Sequence, residues 1–161
     1  MSMQQPIKID AGPGSKSLEV SPTDLPGVEI YRFPWIREAR GDLTVGELGQ
    51  ANFPFQPKRY FIVFGVPSDV SRGEHAHKRC HQFLICVQGR CNAMVDDGAT
   101  RREFVLENPS VGLYLPPMIW GTQHSYSKDA ALLVFASEAY DPDDYIRDYD
   151  AFRSAVRAEA R

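Results

Sequence analysis

Short apolar runs punctuated by turn residues recur along the chain, and their spacing restricts the possible folds more than any single motif. The stretches 28–33, 43–48, 59–64, 82–87, 90–95, 103–106, 112–115 and 130–136 are each four to seven residues long and rich in Val, Ile, Phe, Tyr and Leu. Runs this short suit strands better than helices, so the pattern predicts an antiparallel sandwich or barrel. Asp97-Gly98 falls between two of the runs and predicts a tight hairpin turn. Pro109, Pro116 and Pro117 lack the N–H a sheet ladder needs, and so mark strand ends on either side of 111–115. A final helix is expected over 151–160, capped by Asp150, with Phe152, Ala155 and Val156 on one face. Residues 1–27 carry Pro6, Gly12, Pro13, Gly14, Pro22, Pro26 and Gly27 with little apolar periodicity. They read as a flexible arm ahead of a single domain, residues 28–161.

Composition narrows the partners. The chain has 161 residues, one domain's length, and a formal charge of −3, which removes the broad basic surface that nucleic-acid binding requires. No apolar run approaches the roughly 18 residues of a membrane span, and the first residues lack a secretion signal's order of charge then apolarity, so a cytoplasmic protein is expected. Cys80, Cys86 and Cys91 show no CxxC spacing and read as small buried hydrophobes in a reducing compartment. Neither GxGxxG nor GxxxxGK occurs, and the acidic stretch 138–150 lacks the order of a calcium loop and reads as structural.

The chemistry concentrates in the histidines. His75, His77 and His81 lie together and His124 stands apart. Residues two apart on a strand share a face, so His75 and His77 are expected side by side, with Ala76 turned away. Two imidazoles facing one cavity point to metal ligation or to proton transfer; the plain alternative is one ring bonded in the core and the other solvated.

His75-Ala76-His77, four residues, Gln82, six residues and Gly89, followed by the Pro116-Pro117 corner, resembles the cupin pattern and implies its antiparallel β-barrel, the jelly roll. Gln82 stands where metal-binding cupins carry Glu, and Trp120 or Gly121 occupies the place of their last His. Two imidazoles and a neutral amide make a poor cage for Zn²⁺ or Fe²⁺, so no metal and no other cofactor is expected; a metal would have to recruit His81 or His124.

The runs 72–78, 113–120, 135–141 and 144–149 together resemble the sugar 3,4-ketoisomerase family, with the similar C-terminal domains of WxcM-like proteins. The resemblance covers residues 28–152 and implies a metal-free homodimer. Its HxH pair interconverts the 4-keto and 3-keto forms of a dTDP-linked 6-deoxyhexose, upstream of an aminotransferase. Carried over, His75 and His77 are the catalytic pair. This chain departs from the family in having Glu74 where an aromatic residue is usual, and Gly121 where a His follows the Trp. Moving the ketone means taking a proton from C3, passing through an enediol and returning a proton to C4, and an imidazole titrating at about 6.5 suits both transfers. His75 is assigned as the carbon base and His77 as its partner, although spacing leaves the reverse open. Arg59 and Arg72 are the candidates for clamping a diphosphate, and Glu74, Gln82, Trp120 and His124 complete the candidate substrate-binding set. A metal-dependent cupin enzyme and a non-catalytic nucleotide-sugar binder remain the alternative functions.

Overall fold

The computed structural model describes residues 4–12, 14, 16–49 and 51–160. Fourteen strands appear among them: β1 Ile7–Lys8, β2 Glu19–Pro22, β3 Glu29–Arg32, β4 Trp35–Glu38, β5 Gly41–Thr44, β6 Arg59–Phe64, β7 Arg72–His77, β8 Gln82–Gln88, β9 Cys91–Asp96, β10 Arg101–Leu106, β11 Val111–Leu115, β12 Trp120–His124, β13 Ala131–Ala136 and β14 Tyr145–Ile146. One helix, α1 Tyr149–Glu159, closes the described chain.

The strands form two six-stranded sheets, β1-β10-β9-β12-β7-β14 and β2-β3-β11-β8-β13-β6, and a separate β4-β5 hairpin. All pairings are antiparallel except β1 with β10. This is the cupin-type jelly roll with a short terminal helix. Its core lies between the sheets, where Leu84, Val95, Phe104, Leu113, Leu132 and Val134 are buried together. Alternation along each strand separates the two faces: on β6, Phe61 and Val63 pack on this core while Tyr60, Ile62 and Phe64 face outward.

Seven of the eight apolar runs coincide with strands to within two residues at each end. The exception is 43–48, where β5 spans Gly41–Thr44 and Val45–Leu48 is loop. The Asp97-Gly98 hairpin forms, but as a four-residue loop: Asp97 N donates to Thr100 O at 3.1 Å, and Arg101 pairs with Asp96. The helix starts two residues early because Asp148, in extended conformation, reaches Ala151 N at 2.7 Å and so caps it in place of Asp150. Phe152 is fully buried, and with Ala155 and Val156 it packs over Ala76, Trp120 and Ile146 on the outer face of the first sheet.

The N-terminal segment is not a free arm over its described length. Ile7–Lys8 extends one sheet beside β10 and Glu19–Pro22 extends the other beside β3. Ladder hydrogen bonds, which need no apolar periodicity, hold it there. Strands β7 and β12 lack apolar alternation because their inner faces line a polar cleft, and this hides β12 from a hydrophobicity pattern.

Candidate active site

One end of the barrel opens into a cleft of 470 Å³ lined by polar residues from both sheets and from the segment after β13. Its floor is β7, where a β-bulge lies opposite Gly121 and Thr122: Gly121 pairs with His75, and Thr122 with Gly73. Glu74 is the extra residue. It and Gly73 both take left-handed backbone, φ 58° and 83°. A side chain at 73 would sit 2.8 Å from Gly121 O, so glycine is required by space as well as by φ. The bulge breaks the alternation that would turn Glu74 away with Ala76, and Glu74 therefore lines the cleft.

Past the bulge the strand is regular, and His75 and His77 stand on one side. Their Nε2 atoms are 3.2 Å apart and their rings cross at 88°. The two environments differ. His75 forms part of the cleft wall, whereas His77 lies behind it, 3% exposed. His75 Nδ1 donates to Gly73 O at 3.0 Å, and His77 Nδ1 donates to Asp144 Oδ2 at 2.9 Å. Asp144 ends the 3-10 turn Pro142–Asp144, is 2% exposed, and also accepts Arg79 N at 2.7 Å and Cys80 N at 3.2 Å. Tyr145 packs against both rings, with centroids 4.8 and 4.4 Å away.

Burial pushes both imidazoles below their ordinary range. For His77 the loss of water outweighs the neighbouring Asp144 carboxylate, and charge repulsion from His75 lowers it further, so that it is pushed down to about 4. His75 is lowered by burial first, against the Gly73 carbonyl, and then by the positive charges of Arg147 and Arg59.

Arg59, Arg72 and Arg147 all line the cleft, and no carboxylate pairs with any of them among the described residues. Arg59 Nε is buried without a hydrogen-bond partner. Arg147 lies 4.3 Å above the Tyr145 ring. Unpaired guanidinium groups around a concave surface suit an anion such as a diphosphate. Gln82 points inward from β8 and also lines the cleft.

Two of the candidate substrate-binding residues lie elsewhere. Trp120 is the neighbour of the inward-facing Gly121, so alternation turns it outward beneath α1, edge-on to Tyr149. His124 is outward on the same strand and holds Glu103 Oε1 at 3.0 Å. His81 bonds Tyr114 Oη at 2.7 Å, also outside the cleft. The acidic stretch, read as structural, supplies Asp144 behind His77 as well as Tyr140, Tyr145 and Arg147 in the cleft wall. Its alternating acids and aromatics carry no signal of which side chains turn inward, because the segment is a turn followed by a two-residue strand.

A jelly roll with two adjoining imidazoles at an arginine-lined cleft has the architecture of a cupin-fold enzyme equipped to move protons. The chain belongs to the sugar 3,4-ketoisomerase family, whose model, FdtA: WxcM-like, C-terminal, matches residues 26–157. It is 39% identical over 128 residues to the TDP-4-oxo-6-deoxy-alpha-D-glucose-3,4-oxoisomerase of Aneurinibacillus thermoaerophilus, covering 80% of this chain and 91% of that protein. A mutant of the 3,4-ketoisomerase QdtA from Thermoanaerobacterium thermosaccharolyticum, solved in complex with TDP-4-keto-6-deoxyglucose, superposes with a TM-score of 0.79. Identity there is 35%, over 83% of this chain and 96% of that one. A 3,4-ketoisomerase from Helicobacter canadensis gives a TM-score of 0.77 at 34% identity, over 81% and 98%.

Proposed function

We propose that this protein converts dTDP-4-keto-6-deoxyglucose to a dTDP-linked 3-keto-6-deoxyhexose, with His75 as the carbon base. One observation carries the assignment: His75 is on the cleft wall while its partner His77 is sealed behind it. His75 takes the C3 proton and leaves an enediolate whose charge rests on O4. The O3 proton then moves to O4, and the imidazolium returns its proton to C4, giving the 3-ketone with no net gain or loss. A positioned base of this kind supplies about 10² to 10⁴ in rate. Arg59, Arg72 and Arg147 hold the diphosphate, and Glu74 and Gln82 are within the cleft to meet sugar hydroxyls. The product has the carbonyl that a 3-aminotransferase requires.

Incubation with the 4-keto substrate in deuterated water, followed by NMR, tests the reading. Solvent deuterium is expected at C4 of the product and, through the reverse reaction, at C3 of the substrate, with the rate falling at least a hundredfold in His75→Asn. Unchanged exchange in that variant overturns the base assignment. Label at C5 would indicate an epimerase, and ligand-induced stabilisation with neither label nor conversion a binding protein.

The protein acts as a homodimer in this reading. Tyr60, Ile62 and Phe64 are 67%, 47% and 73% exposed on edge strand β6, beside the partly exposed Leu133 and Phe135 of β13. An apolar edge and face of this kind favours association with a second copy. Three buried free thiols fit a reducing compartment, and the cytoplasm is the proposed location.

A further inference from the structure

The hydrogen-bond directions around the two imidazoles determine where their protons sit. A carbonyl can only accept, so Gly73 O requires an N–H on His75 Nδ1. Asp144 accepts two backbone N–H groups as well as His77 Nδ1, which makes it an acceptor on all three sides and requires an N–H on His77 Nδ1. In the neutral rings both Nε2 atoms are then bare. They converge at 3.2 Å, a hydrogen-bond distance with one proton between them and a lone-pair repulsion with none.

We infer that Asp144 is a positioning residue for the isomerisation, holding His77 in the Nδ1–H tautomer so that its Nε2 lone pair accepts one end of the proton His75 takes from the sugar. The inference rests on the proposed ketoisomerase reading of the site and deepens it. His75 and His77 then act as a two-nitrogen acceptor for a single proton, and the buried carboxylate behind them offsets the positive charge that proton brings. No step consumes Asp144, which neither gains nor loses a proton. Its place in the fold suits this role, because the turn that carries it is tied to the β7–β8 connection, with Lys78 N on Asp144 O at 2.9 Å and Arg79 Nη2 on Asp141 Oδ2 at 2.7 Å. Carboxylate and imidazole are thereby fixed from both sides. The same second-partner arrangement selects tautomers in metal-ligating and catalytic histidines generally.

Nitrogen-15 NMR of the histidine rings, with His77 assigned by the signals lost in His77→Asn, tests the tautomer in the wild-type protein. Nδ1–H is expected at neutral pH, and Nε2–H overturns the inference. Kinetics of Asp144→Asn test the consequence. The amide either turns its NH₂ toward Nδ1, which moves the ring proton to Nε2 and fills the lone pair, or keeps its oxygen there and withdraws the charge. In both cases kcat is expected to fall 10²- to 10⁴-fold while the dissociation constant for TDP stays within about threefold. A folded Asp144→Asn with kcat within threefold of wild type overturns the inference. Should that variant fail to fold, the wild-type tautomer decides. If the wild-type protein itself forms no 3-keto product from the 4-keto substrate, the ketoisomerase reading fails instead, so the two failures are distinguishable.

Discussion

At His77 two influences on a buried imidazole oppose each other, and desolvation wins over the Asp144 carboxylate 2.9 Å away. His75 is lowered as well, with Arg147 and Arg59 adding to burial. A base must be neutral to act, and a lowered imidazole stays neutral further into acid. The acid limb of kcat/KM is therefore expected below 6.5, where an unperturbed histidine titrates, and the groups facing the pair that govern it are Asp144, Arg147 and Arg59. A pH–rate profile with its acid midpoint at or above 6.5 would contradict this. Arg147 should show both of its effects in one variant. In the proposed binding mode Arg147→Gln loses a charge-assisted contact to phosphate, worth about 1.5 to 3 kcal/mol, so KM is expected to rise about ten- to a hundredfold. Loss of the same positive charge beside His75 should move the acid limb upward, which steady-state kinetics across pH would reveal.

The elements show how little room the barrel leaves around the site. Gly112 on β11 lies under the ring of Phe83, and a Cβ there would sit 2.1 Å from the ring's carbons. Phe83 in turn contacts Tyr31, Phe33 and Phe53 in an aromatic layer on the outer face of the second sheet. Gly112→Ala must displace that layer, and overpacking of this kind costs about 1 to 3 kcal/mol. Thermal unfolding should register a drop of several degrees, with the TDP affinity little changed because the layer faces away from the cleft. An unaltered melting temperature would mean that the ring swings aside freely. The bulge in β7 acts in the opposite sense, giving up ladder regularity to bring Glu74 into the cleft while His75 and His77 keep their shared side.

For the whole molecule, the exposed apolar face along β6 and β13 predicts a dimer. Ile62→Asp, a substitution in the middle of that face, is expected to yield a monomer in light scattering coupled to size exclusion; a wild-type monomer at micromolar concentration would refute the association. Among the described residues, no helix is long and apolar enough to cross a membrane. Much of this architecture is legible in the chain, because strands packed between two sheets must alternate or run apolar, and 59–64, 82–87 and 130–136 do so plainly. The paired histidines are legible for the same local reason, a period of two along a strand. Glu74 is legible only as a candidate, since its orientation depends on a bulge formed with Gly121 and Thr122, which are distant in sequence. Asp144 and Arg147 are not legible, and Trp120 and His124 are misleading, because pocket membership depends on which face of a folded strand or turn points inward. Sequence by itself therefore determined the barrel and the imidazole pair, whose causes are periodic and local. Tertiary structure decided which imidazole faces the cleft, which carboxylate stands behind its partner and which arginines remain unpaired, because each depends on contacts between segments whose separation along the chain leaves no periodic trace.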